Sequence, residues 1–162
     1  MSLENFPARS TLKDGSPCSV RPMEAGDEHA FRDFHTVIPE QEQLFVKNQI
    51  KDGSLFKLWM NDPEFSEHLP LLAFVDGRLA GLGTLHQRPG GWKRHIGEVY
   101  FLTHPDFRGM GVLDTLLEEI IDLSRHRGLT KLESSVNGER KSAIESMVSA
   151  GFCELVRLPN YI

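Results

Sequence analysis

Gly97-Glu98-Val99-Tyr100-Phe101-Leu102-Thr103-His104-Pro105-Asp106-Phe107-Arg108-Gly109-Met110-Gly111-Val112-Leu113 decides the fold, together with the apolar-striped segment that follows it to Arg127. The spacing predicts a strand, a glycine turn and a helix. Leu113, Leu116, Leu117, Ile120, Ile121 and Leu123 recur every three or four positions, which buries one face of a helix. Pro105 ends the strand. In the turn Arg108-Gly109-Met110-Gly111, successive backbone N–H groups aim at one point beyond the positive end of that helix. Such a point favours a phosphate.

Three kinds of phosphate site share this physics, and side chains separate them. A Walker loop ends in Gly-Lys-Ser/Thr, whereas Gly111 is followed by Val112 and Leu113, so that reading fails. A dinucleotide fingerprint wants a third glycine where Asp114 stands, although Glu133 lies near the distance of a ribose-binding acid. The third pattern is Arg/Gln-x-x-Gly-x-Gly/Ala between a strand and a helix. Arg108-Gly109-Met110-Gly111-Val112-Leu113 meets it at two of three fixed positions. With this hexamer and the order of elements from Val20 to the end, the chain resembles the GNAT superfamily of acyl-CoA-dependent N-acetyltransferases. Leu113 departs from the pattern, standing where Gly or Ala is usual. Its side chain either crowds the cofactor's diphosphate or turns into the core with the helix stripe.

Moving outward, 162 residues suit one domain that buries its own core. Hydrophobic residues make up 40% and charged residues 25%, an ordinary globular balance that excludes disordered and fibrous classes. A net charge of -5 without a basic run argues against nucleic acid and anionic membrane as partners, while cationic substrates remain compatible. Cys18 and Cys153 lack metal spacing and read as free thiols of a reducing cytoplasm. No apolar run reaches membrane-span length, and the first residues lack a signal-peptide core.

Residues 1–17 carry Pro7, Gly15 and Pro17 without periodicity and are expected to form a loose N-terminal leader, or an added strand, ahead of a single domain over 18–162. Cys18–Met23 reads as the first core strand. Ala25-Gly26-Asp27 introduces a helix to about Val37, with early acids suited to its dipole. A second helical region is expected from Glu40 to about Ile50, with Leu44, Phe45 and Val46 apolar, and Leu55–Met60 continues it after Gly53. Leu71–Val75 and Leu79–Leu85 flank Asp76-Gly77, a specific hairpin signal. Beyond the organising helix, Gly128 caps it, Lys131–Val136 reads as a strand, and Ser142–Ala150 as a last helix leaving through Gly151-Phe152. Glu154–Leu158 completes the pattern as a strand whose outer edge needs a cover. A homodimer is the expected cover, and the leader is the alternative.

The resemblance implies an α/β (α+β) fold: a mixed, mostly antiparallel central sheet flanked by helices and splayed between the fourth and fifth core strands. It also implies acetyl-CoA as acyl donor and a primary amine as acceptor, whether a small molecule or a protein lysine, with the two early helices walling the acceptor site. The Phe101 N–H would meet the acetyl oxygen, Thr103 the pantetheine amides, and Arg108, Gly109, Met110, Gly111, Val112 and Leu113 the diphosphate. Glu98, a single carboxylate in an apolar strand, is read as a buried acid and as the general-base candidate, the alternative being a structural ion pair. Met147 stands where the family often places a tyrosine acid, so Tyr100 or Tyr161 would have to substitute, or the thiolate leaves toward water. Arg140 replaces a usual asparagine, and Arg140 or Lys141 could contact phosphates. Asp62, Glu64, Glu67, Glu40 and Glu42 are either an attractor for a cationic acceptor or simply exposed charges. His35, His86, His95 and His104 lack ligand spacing, and no metal is assigned. His104 beside Pro105 is expected to cap the strand end.

An N-acetyltransferase is the leading reading. The competing ones are a GNAT fold that binds acyl-CoA without turnover, and a nucleotide-binding regulator with no affinity for CoA.

Overall fold

Asp76 and Gly77 both take positive φ, 49° and 74°, the turn geometry that matches the twist of two antiparallel strands. Around that turn the computed structural model, which describes residues 3–43 and 53–159, builds the centre of a sheet. In chain order the strands are β1 (Ala8–Thr11), β2 (Pro17–Pro22), β3 (His68–Val75), β4 (Arg78–Gln87), β5 (Ile96–Thr103) and β6 (Lys131–Glu133). They lie side by side in that same order, every neighbouring pair antiparallel except β5 and β6, which are parallel. The helices are α1 (Glu28–Val37), α2 (Glu40–Gln43), α3 (Ser54–Met60), α4 (Val112–His126) and α5 (Lys141–Ser149).

Two apolar layers form because the strands are buried on both faces. Against one face lies α4, whose Val112, Leu116, Ile120 and Leu123 join Val20, Leu71, Leu85 and Val99. Close approach depends on small residues in β4: a Cβ on Gly81 would stand 2.8 Å from Val112 Cγ1, and one on Gly83 would stand 2.8 Å from Ile120 Cδ1. Against the other face, Phe31, Phe34, Phe56 and Trp59 of α1 and α3 pack on Leu72, Leu82 and Leu102. No described helix is long and apolar enough to cross a membrane.

Three expectations change. Within the expected leader, Ala8–Thr11 takes the second of the two alternatives, the added strand, and pairs with Pro17–Val20 around a turn at Asp14-Gly15. The strand expected over Lys131–Val136 stops at Glu133, because from Ser134 a side-chain bond replaces the backbone ladder. Glu154–Leu158 forms no strand. Glu154 pairs locally with Arg157 while Leu155 stays 85% exposed. Leu44, Phe45, Val46 and the rest of the expected second helix beyond Gln43 lie outside the described residues, as does Tyr161.

The burial of α1 carries an acid liability. His35 is packed edge-on against Phe31 at 4.8 Å, its Nε2 has no hydrogen-bond partner among the described residues, and burial lowers its pKa from 6.5 to about 4. The folded value lies below the unfolded one, so the unfolded chain takes the proton first. The neutral ring's contribution is therefore complete above pH 6.5 and is lost as the pH falls toward 4, roughly 3 kcal/mol. Denaturant midpoints measured across that window should fall steeply for the wild type and less steeply for His35→Leu. Parallel slopes would refute the assignment.

Candidate active site

β5 and β6 share only the register Ile96–Lys131, Gly97–Leu132 and Glu98–Glu133, then part. Ser134 Oγ donates to the Val99 carbonyl at 2.9 Å at the point of divergence. On the opposite side, His104 N–H donates to the Ala80 carbonyl of β4. Successive backbone groups of a strand alternate in direction, so even-numbered residues here face β4, and Val99, Phe101 and Thr103 face the gap. The gap is thus edged by the N–H of Phe101 and the backbone of Thr103, whose carbonyl accepts from Arg108 Nη2 at 3.4 Å. A narrow cleft of about 50 Å³ occupies it, lined by Phe101, Thr103, Ser134, Asn137 and Met147 among others.

The cleft opens into a groove of about 780 Å³ between α4 and α5. Arg108, Gly109, Gly111 and Val112 line its floor. Gly109 and Gly111 take φ of +76° and +96°, a region that side chains rarely enter, and Gly111 is the N-cap of α4. The turn therefore presents its N–H groups at the positive end of a helix of 15 residues. Val112 is buried in the core and Met110 packs beside it, which fixes the turn from beneath. Leu113 takes neither of its two expected places cleanly: it is half-buried, absent from the core clusters, and lines both cleft and groove. His104 Nδ1 accepts from Asp106 N–H at 3.0 Å, capping the short turn between strand and glycines.

Glu98 requires a correction. Its side chain is 51% exposed and pairs with Arg88 at 3.2 Å, so the expectation of a buried acid does not hold. Period two puts it on the face of Tyr100 and Leu102, the α1–α3 face, but at the end of β5 that those helices do not cover. The carboxylate nevertheless stands where the two strands separate, three residues before Phe101.

The sequence profile of the Acetyltransferase (GNAT) family matches residues 29–152. The chain belongs to the GNAT acetyltransferase family. A bacterial relative, Acetyltransferase ECA0875 of Pectobacterium atrosepticum, is 32% identical over 99 residues, 56% of this chain and 66% of that protein; the match thus spans just under two thirds of the relative's length. Among solved structures, the GNAT domain of S. lividans PAT superposes with a TM-score of 0.77 at 22% identity, covering 90% of this chain and 87% of that one. Mycobacterium smegmatis RimJ in complex with CoA-disulfide gives 0.73 at 16% identity, covering 98% and 81%. The mixed sheet flanked by helices is thus the GNAT fold.

Within this GNAT frame, Met147 is buried in the wall of the cleft, so the position offers a thioether and no acid. Tyr100 also lines the cleft, but burial pushes its phenol above the ordinary value and makes it a weaker proton donor. Two groups escaped the sequence reading. Lys13, in the β1–β2 turn, bonds through its N–H to the Met110 carbonyl at 3.0 Å, lies against Gly111 and lines the groove. Glu42 is expected as an attractor for a cationic acceptor or as an exposed charge, yet its side chain is 10% exposed and paired with Arg108 and Arg140. Among the described residues, no group of three or more His, Cys, Asp or Glu could hold a metal ion.

Proposed function

We propose that this GNAT chain transfers an acetyl group from acetyl-CoA to a primary amine by direct attack. The observation that carries the reading is the parting of β5 and β6, which turns the Phe101 N–H toward a cleft continuous with the glycine turn. The donor set fits a CoA thioester: an N–H of a strand edge for the acyl oxygen, strand backbone at Thr103 for amides, and helix-start N–H groups from Arg108 to Leu113 for a diphosphate. RimJ, which shares the fold, was solved with CoA-disulfide.

Each residue then has a task. The Phe101 N–H stabilises charge growing on the acyl oxygen during attack. Glu98 takes the ammonium proton, directly or through water, so that a C–N bond can form; the second proton leaves that nitrogen for solvent as the C–S bond breaks and sulfur keeps the electron pair. With Met147 and a weakly acidic Tyr100 in the cleft wall, the thiolate leaves toward solvent.

Thiol release from acetyl-CoA against a panel of polyamine, aminoglycoside, amino acid and lysine peptide tests this reading. The expected result is amine-dependent release with at least one member. Tight CoA binding without release from any amine would instead favour the binding-module reading, which the missing acid at Met147 and the bulk of Leu113 support.

A further inference from the structure

Three side chains from separate elements meet where cleft and groove join: Glu42 of α2, Arg108 after β5, and Arg140 at the start of α5. Arg108 Nη2 donates to both carboxylate oxygens of Glu42, at 2.8 and 2.9 Å, and Arg140 Nη1 donates to Oε2. Two features set this apart from an ordinary structural ion pair. Arg108 spends one nitrogen of its fork on Glu42, while its buried Nε meets no acceptor among the described residues. The cluster also has two guanidiniums for one carboxylate, although burial disfavours the charge on Arg140 against the pull of Glu42. A surplus of positive charge and an unused donor describe a seat for an anion larger than a carboxylate.

Position decides which anion. Both arginines line the broad groove that runs past Gly109 and Gly111, whereas Glu42 lines the narrow cleft with Phe101 and Thr103. Resting on the CoA reading above, in which Arg108 and Arg140 already belong to the phosphate side of the site, we propose that Glu42 holds both guanidiniums from within the chain until the cofactor displaces it. Guanidinium forks take phosphate and carboxylate in the same planar geometry. A diphosphate brings more charge and more acceptor oxygens than one carboxylate, so the exchange runs toward the cofactor. The internal carboxylate lowers apparent affinity by the fraction of molecules in which it holds both arginines.

Calorimetric titration with CoA tests this on the wild type, Glu42→Gln and Arg140→Gln. Glu42→Gln should bind CoA about tenfold more tightly, as expected when a dominant closed form is removed, and Arg140→Gln should bind it more weakly. Should Glu42→Gln melt early, its CoA-induced rise in melting temperature, taken from its own baseline, should still exceed that of the wild type. Glu42→Asp, too short to span both arginines, should shift affinity in the same direction if the Gln variant does not fold. Unchanged or weaker CoA binding by a folded Glu42 variant would overturn the proposal and leave the CoA reading intact. Absence of CoA binding in the wild type would overturn both.

Discussion

Glu98→Gln should lower turnover about 100-fold near pH 7, the lower end of what a positioned general base contributes, while leaving CoA affinity nearly intact. The need for a base is quantitative. A lysine-like amine of pKa about 10.4 costs roughly 4.6 kcal/mol to neutralise at pH 7 before attack begins. In the proposed mechanism the half-exposed carboxylate contributes by proximity, because it stands at the parting of β5 and β6. The deficit should shrink as the pH rises and the amine becomes neutral unaided. Arg88→Met breaks the same ion pair and supplies the control, because an exposed pair contributes only about 0–1 kcal/mol to stability. Equal losses of turnover in the Arg88 and Glu98 variants, or unchanged turnover in Glu98→Gln, would return Glu98 to a structural role.

Gly111→Val should weaken CoA binding between about tenfold and 100-fold, the equivalent of one charge-assisted hydrogen bond of roughly 1.5–3 kcal/mol. At φ +96° a side chain is strained wherever it points, and the nearest atom to its Cβ, Lys13 Cγ at 3.6 Å, would leave room for the residue itself. The damage therefore comes from a re-aimed N–H and from branches projecting into the groove, not from a clash with the core. Gly138→Ala, with an ordinary φ and nothing within 4 Å of the added Cβ, should bind CoA like the wild type. Equal affinity in wild type and Gly111→Val would remove the turn from the diphosphate site.

Local signals with a single physical meaning were legible in the sequence. The stripe of α4 could only be a helix face, Asp76-Gly77 could only be a tight hairpin, and a glycine turn at a helix start could only gather N–H donors. Asp14-Gly15 carries the same hairpin signal, but the short flanks of β1 and β2 lack the apolar run that marks β3 and β4 as strands. The exposure of Glu98 is not legible in the sequence, because strand periodicity tells which face a residue joins and is silent on whether a helix covers that face. The Glu42 bridge was beyond reach for another reason: its partners lie 66 and 98 residues away, and no spacing rule spans such distances. The break of β6 at Ser134 was similarly invisible, since a serine after a strand reads like any other polar residue.

The bond from Lys13 to Met110 gives the outermost hairpin of the sheet a second meaning. β1 is an edge strand, the element that ordinarily frays first. Here its turn is stitched to the backbone of the glycine loop, and Ser10 lies within 3.4 Å of Thr115 on the first turns of α4. Fraying at that edge would loosen the donor array, and an anion held by the array would stiffen the edge. The β1–β2 hairpin and the mouth of the groove are therefore joined, so that order gained at one would be passed to the other.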